Sequence, residues 1–290
     1  MSERLRGRLA GSPFDKHRLD MLTGLVEVLE ARAPSPIAAR PADARWAWLP
    51  FFEAYFSNFI EGTEFGVDEA RAIAVDGVVP RARPADAHDV RATYGLASDP
   101  VDAALVPRSG DDLVELLQLR HARLMAARPD KRPGEFKELD NYAGGYRFVE
   151  PELVIWTLRR GYALLDRLVD GFARAVAMML LGTECHPFDD GNGRVARLVV
   201  NAELTAAGQV RFVVPTVYRN NYLAALSAVS HGAGRGESLI AVLAFAQRWT
   251  AAVRWDTFDG AKVDLDRSNA FVDARVADVE GITLRLPPRD

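Results

Sequence analysis

The densest chemistry in the chain lies between His186 and Arg197, which read His-Pro-Phe-Asp-Asp-Gly-Asn-Gly-Arg-Val-Ala-Arg. Gly191 and Gly193 flank Asn192 just ahead of a helical run. These residue types tolerate the backbone angles that turn successive N–H groups inward. Such a nest at a helix N-terminus attracts anions, because open N–H groups and the helix dipole point the same way. Arg194 and Arg197 are three apart, so they share a helix face and can clamp one polyanion. Asp190 can hold a hard cation through its carboxylate; Mg²⁺ typically takes one or two carboxylates and completes its shell with phosphate and water. His186, where the loop begins, is placed to act as a general base toward a hydroxyl. A base, a metal-binding acid, a phosphate nest and an arginine pair within one loop together describe a nucleotide-transfer site. The sequence contains no GxxxxGK[ST] phosphate loop. Asp189 to Arg194 also lack the alternating ligands and closing Glu of a calcium hand. Cys185 abuts His186, but sequence neighbours rarely reach the geometry of a thiol–imidazole pair, and it reads as a small buried side chain.

Several elements must position this loop. Residues 194–207 read as a helix stopped by Gly208, and 184–192 as a turn-rich loop. Residues 151–181 read as two helices meeting near 166–171. Residues 111–127 read as a helix opened by Asp111 and Asp112, whose charge suits the positive end. Two more helices are expected at 218–229 and 238–253. The 131–149 stretch carries Gly134, Gly144 and Gly145 as turn signals, with strand-favouring Tyr146, Phe148 and Val149, and reads as a small β-hairpin or flap. Upstream, Phe52, Tyr55, Phe56, Phe59 and Ile60 fall at i, i+3, i+4, i+7 and i+8, the apolar stripe of a helix. Leu19, Leu22, Leu25, Val26 and Leu29 mark an earlier one. Residues 76–100 read as part loop and part short helix. The tail is expected to hold one helical piece at 268–279 and an alternating strand-like stretch at 282–286. The sequence therefore predicts an all-α fold with a small β-hairpin flap. The regions are 1–110, 111–255 and a C-terminal extension at 256–290.

Composition narrows the function. Hydrophobic residues make up 49% of the 290 and charged residues 26%, enough apolar side chain to exclude disorder as the main state. Against 40 acids there are 36 Lys and Arg, a net charge of -4, so there is no basic surplus for a nucleic-acid partner. The single cysteine excludes an internal disulfide or a cysteine-based zinc site. No apolar run is long enough for a bilayer, and the charged start lacks an apolar signal region. The expectation is a cytoplasmic protein with neither nucleic-acid nor membrane partners. His17, His88, His121 and His231 read as structural, and the tryptophans as packing residues.

The His186–Arg197 run matches HPFx[DE]GNGRxxR, the signature of the Fic family, in full. The flanks resemble the family too. Residues 133–137, Pro-Gly-Glu-Phe-Lys, look like its flap, and 218–226 like its downstream helix, so the resemblance spans about 111–255. It implies a largely helical Fic fold and Mg²⁺-dependent transfer of AMP from ATP to a Ser, Thr or Tyr hydroxyl of a protein target. Carried over, His186 takes the hydroxyl proton and Phe188 anchors the loop. Asp190 binds Mg²⁺ bridging the phosphates. The Gly191, Asn192 and Gly193 amides and the Asn192 side chain hold the α-phosphate region, and Arg194 and Arg197 the β- and γ-phosphates. Gly193 stands where the related Doc-type kinases have Lys, which favours AMP transfer over phosphate transfer. Upstream, Ser57 to Gly62 resembles the family's inhibitory motif [ST]xxxE[GN]. By that resemblance Glu61 pairs with Arg197 and withholds it from the γ-phosphate; Glu64 is a second acid on nearly the same face. The 133–149 hairpin offers an open edge to which a target strand can add, aligning its hydroxyl with His186. The resemblance leaves room for self-modification and for a homodimer. Two other readings stay open: removal of AMP by the same site with Glu61 positioning water, and a catalytically silent regulatory or scaffolding module.

Overall fold

The computed structural model describes residues 7–39 and 43–288. Helices dominate, as expected, and the only ladder among the described residues is a two-stranded one. The first long helix, α1 (Lys16–Arg32), is capped by Asp15, whose carboxylate accepts from Arg18 N–H. Next come α2 (Leu49–Ile60), a short α3 (Val67–Ala74) and α4 (Pro84–Ser98). Then follow α5 (Gly110–Leu124), α6 (Val154–Leu164), α7 (Gly171–Cys185) and α8 (Asn192–Ala206). The last are α9 (Arg219–Ser230), α10 (Glu237–Ala252), α11 (Phe258–Arg267) and α12 (Ala274–Glu280). Side-chain caps explain several starts: Ser109 for α5, Asp170 for α7 and Thr257 for α11 each accept a first-turn N–H, satisfying a donor the helix cannot.

The flap is smaller than its sequence suggests. Only β1 (Tyr142–Ala143) and β2 (Tyr146–Arg147) pair, antiparallel, around the Gly144–Gly145 turn. The rest of 131–149 is irregular chain tied to other elements by side chains. Two tail expectations are corrected. The predicted helix at 268–279 is broken: α11 ends at Arg267, Asn269 adopts a left-handed φ of 66°, and Asp273 caps a separate α12. The 282–286 alternation forms no strand; it seats Leu284 in the core while Arg285 N–H donates to the Ser268 carbonyl.

Two apolar cores organise the molecule, and they cut across chain order. One gathers Leu22, Leu25 and Leu29 of α1 with Leu117, Leu158, Val176, Val199 and Leu243, around the α7–α8 pair. The other joins α2 to the C-terminal segment through Phe52, Phe56, Trp249, Trp255, Phe258 and Leu265. Phe52 stacks on Phe258 with centroids 5.7 Å apart, and Phe56 on Phe271 at 5.6 Å. Aromatic pairs of this kind add to simple area burial. The tail thus grips α2, and α2 delivers its C-terminal end to the motif loop.

Candidate active site

The loop between α7 and α8 carries the chemistry. His186 ends α7 in the left-handed conformation, with φ 43° and ψ 60°. Its ring stacks on Phe148 of the flap, centroids 3.9 Å apart and planes 8° from parallel. Nδ1 lies 3.3 Å from the Thr183 carbonyl. An acceptor there puts the proton on Nδ1 and leaves the Nε2 lone pair for a substrate. Burial, together with the Lys137 charge, pushes the imidazole pKa down to about 4 against the pull of the Thr183 hydrogen bond. The ring is therefore neutral across physiological pH, the form a general base needs. Cys185 is fully buried, and burial pushes its thiol up, so it offers no thiolate.

Gly191 has φ 73° and serves as the N-cap of α8. Helical bonding begins with Val195 N–H to the Gly191 carbonyl at 3.0 Å, so the Asn192, Gly193 and Arg194 amides stand at the open end of the helix. The Asn192 side chain departs from its expected role. Its Oδ1 accepts from Phe188 N–H and its Nδ2 donates to the Phe188 carbonyl, both at 2.8 Å. Both ends of the amide are thus engaged in locking the loop. Phe188 is fully buried and stacks on His121 at 3.8 Å.

The two arginines part company. Arg197 reaches the cavity wall. Its Nε donates to Ser57 Oγ at 2.9 Å, and its Nη2 donates to the Ser57 carbonyl at 2.9 Å and to Glu61 Oε1 at 2.7 Å. Burial, the largest single influence, would lower the guanidinium pKa; the Glu61 charge, Tyr222 and the hydrogen bonds to both together outweigh it, and the net shift is upward. Arg194 turns into the protein instead, donating Nη1 to Asp89 Oδ2 of α4 at 2.7 Å. The expected clamp of both arginines on one ligand is not the arrangement found. Glu61 lies against Gly193, where any Cβ would collide with its Oε1. A side chain at 193 would therefore push the Glu61 carboxylate from this position. Glu64 stays exposed and away from Arg197.

Glu61, His186, Asp190, Gly191, Asn192, Gly193 and Arg197 line one cavity of about 400 Å³, together with Tyr146 and Phe148 of the flap and Leu226 and Ser230 of α9. Asp190 Oδ1 accepts from Gly191 N–H at 2.6 Å, and the side chain is 45% exposed. No cluster of three or more acid, His or Cys ligands occurs among the described residues. One open carboxylate suits Mg²⁺ only if a polyphosphate completes the shell, which the adjoining cavity has room to admit.

Several residues at this site carried no sequence signal. His121 bridges the flap and the loop: Gly134 N–H donates to its Nδ1 at 2.9 Å, leaving Nε2–H to donate to the Asp190 carbonyl at 3.1 Å. Burial pushes its pKa down to about 4, consistent with a neutral ring in that bridging role. Arg132 holds Asp189 through two nitrogens. Lys137 and Asn141 bond the loop carbonyls, and Asp89 sits in an Ala/Asp/Arg-rich run where nothing distinguishes it from a solvated acid.

Known proteins place this geometry. Residues 112–204 match the Fic/DOC family. Protein adenylyltransferase Fic of Drosophila yakuba is 27% identical over 223 residues, covering 76% of this chain and 44% of that protein, so this chain spans less than half the length of that relative. Among solved structures, a Fic domain-containing signaling protein from Bacteroides thetaiotaomicron superposes with TM-score 0.61 at 20% identity, covering 85% of this chain and 97% of that one. Fic-1 from C. elegans does so with TM-score 0.60 at 22% identity, over 80% and 69%. Fold, motif loop and sequence match agree: residues 112–204 are similar to the Fic/DOC family, and the helical fold around them is that of the Fic structures.

Proposed function

We propose that the chain transfers AMP from ATP to a Ser, Thr or Tyr hydroxyl of a protein target, and that Glu61 restrains it. The observation that carries this reading is the single cavity holding a neutral imidazole, an open helix N-terminus and Arg197. The target oxygen attacks the α-phosphorus, the bond to the β-phosphate oxygen breaks, and pyrophosphate leaves. The hydroxyl proton passes to His186 Nε2. The amides at the start of α8 face the oxygens on which charge develops, which is where preorganised donors act most strongly. Mg²⁺, held by Asp190 together with the nucleotide, would neutralise phosphate charge. Arg197, once released by Glu61, holds the γ-phosphate. The flap edge beside His186 takes the target strand, and a hydroxyl of this chain or of a second copy can serve as target in self-modification. The relatives' name, protein adenylyltransferase, supports the reaction class.

Labelled ATP tests the reading. With Glu61→Gly protein, Mg²⁺ and lysate, label on the α-phosphate should enter protein and label on the γ-phosphate should not. Incorporation from the γ-position instead would make the chain a kinase. His186→Ala in the same background should lower transfer by about 10²-fold or more, the usual scale for a general base, with ATP affinity nearly unchanged. Base function should persist through neutral pH and fail only as the pH drops through about 4, because protonation removes the lone pair.

A further inference from the structure

A non-glycine residue in the left-handed region is held there by its surroundings, and His186 is one of three such residues among those described. What holds it is a short piece of the flap root. The Cys185 carbonyl accepts from Lys137 Nζ at 3.3 Å, and the Pro187 carbonyl from Lys137 N–H at 2.8 Å. The His186 and Phe188 carbonyls accept from Asn141 Nδ2 at 3.2 and 3.0 Å. Lys137 Nζ also donates to Asn141 Oδ1 at 2.6 Å. An ammonium is a donor only, so this bond fixes which end of the amide faces the loop. Every carbonyl from 185 to 188 is thus bonded by residues 137–141. Lys137 is 3% exposed, an ammonium buried where its hydrogen bonds are its compensation.

We infer that Lys137 and Asn141 are positioning residues that hold His186 in its productive backbone conformation, joining the catalytic base to the hairpin in one rigid unit. The inference rests on the AMP-transfer reading above and extends it. The chain segment that presents the hairpin edge also sets the base, so a strand seated on that edge is in register with the His186 ring. Neither residue lines the cavity, so their loss should spare nucleotide binding.

The test uses the full chain carrying Glu61→Gly, with Asn141→Ala, Asn141→Asp and Lys137→Met added singly. Asn141→Asp keeps a partner for Lys137 but removes both donors to the loop. Each variant should lose about 10²-fold in kcat, the scale of a small misplacement of a reacting group, with Kd for ATP unchanged. NMR titration of the His186 ring, without nucleotide or target, should move from about 4 up toward about 6.5, the value of a solvated imidazole. Parental kcat in Asn141→Asp, a loss of ATP binding that matches the loss of kcat, or an unmoved titration would each overturn the proposal. Because the titration needs no turnover, it decides the clamp even if the Glu61→Gly parent transfers no AMP, a result that removes only the activity reading. If Asn141→Ala does not fold, the other two variants carry the measurement.

Discussion

Arg194 and Arg197 lie one turn apart on α8, and each meets an acid from the N-terminal helices, yet the two pairs differ in what water can reach. Asp89 is fully buried, and its Oδ2 takes both Arg194 Nη1 and Arg128 Nε. Glu61 caps the end of α2, with 34% of its side chain exposed beside the cavity. Asp89 cannot withdraw without leaving the buried Arg194 only the more distant Asp190 carboxylate, at 3.8 Å. Glu61 can swing into solvent, because Arg197 keeps the Ser57 hydroxyl and carbonyl when it goes. The same charge pairing makes a strut in one place and, on the function proposed above, a latch in the other; the acid's burial separates the two. The seat over Gly193 adds to the latch, since the Glu61 carboxylate lies against the amide end that an anionic phosphate would approach.

The strut should give the larger effect on stability. Asp89→Asn keeps the shape and removes the charge. Arg128 retains Asp86 at 2.5 Å, so the loss falls on Arg194, whose Nε already has no hydrogen-bond partner. Breaking one side of a buried ion pair typically costs about 3–5 kcal/mol. Denaturant unfolding should show a loss of that size. A change below about 1 kcal/mol, the range of exposed pairs, would erase the contrast.

The latch should show itself in activity. Glu61→Gly frees Arg197 for a charge-assisted contact worth about 1.5–3 kcal/mol, or about 10- to 100-fold in productive ATP binding. Stability should change by less than about 1 kcal/mol, because the acid is 34% exposed and Arg197 keeps both bonds to Ser57. Arg197→Ala should abolish the gain, and the double variant should behave as Arg197→Ala alone, the non-additivity of residues acting through one contact. Glu64→Ala is the control. Equal activation by Glu61→Gly and Glu64→Ala, read as AMP incorporation at fixed ATP, would show that general charge and not this contact is responsible.

The sequence and the structure agree best where information is local. The His186–Arg197 run and the α2 stripe could be read because backbone preference and periodicity act within a few residues. The Glu61–Arg197 contact was reachable only through motif resemblance, since 136 residues separate the partners. Contacts without a motif were out of reach: Asp89 to Arg194 across 105 residues and Asn141 to the loop carbonyls depend on how helices pack. The Asn192 side chain illustrates a different limit. Its type suits phosphate binding and loop locking equally, and only the distance to Phe188 chooses. In the tail, periodicity misled. A helical pattern ran through Asn269, whose side chain bonds the Thr283 carbonyl, and an alternating pattern at 282–286 had no partner strand.

The smallest expected effect on activity belongs to Ser57, and it separates the two halves of the latch. Arg197 has three hydrogen bonds to α2 and its cap residue. Ser57→Ala removes only the one from Nε to the hydroxyl, leaving Nη2 with the Ser57 carbonyl at 2.9 Å and Glu61 at 2.7 Å. The hydroxyl bond is compatible with both seated and withdrawn Glu61, so it contributes nearly equally to the restrained and ATP-bound states. An interaction equal in two states shifts no equilibrium between them. Ser57→Ala should therefore leave AMP transfer within about threefold, a difference of about 0.7 kcal/mol. It should lower stability by about 1–3 kcal/mol, the cost of a buried donor left without its acceptor. The paired measurement is transfer rate and unfolding free energy on one preparation. Activation by Ser57→Ala as strong as that of Glu61→Gly would place the restraint in the helix hydroxyl and not in the carboxylate. The exposed Glu61 would then be a bystander to a grip made by α2 itself.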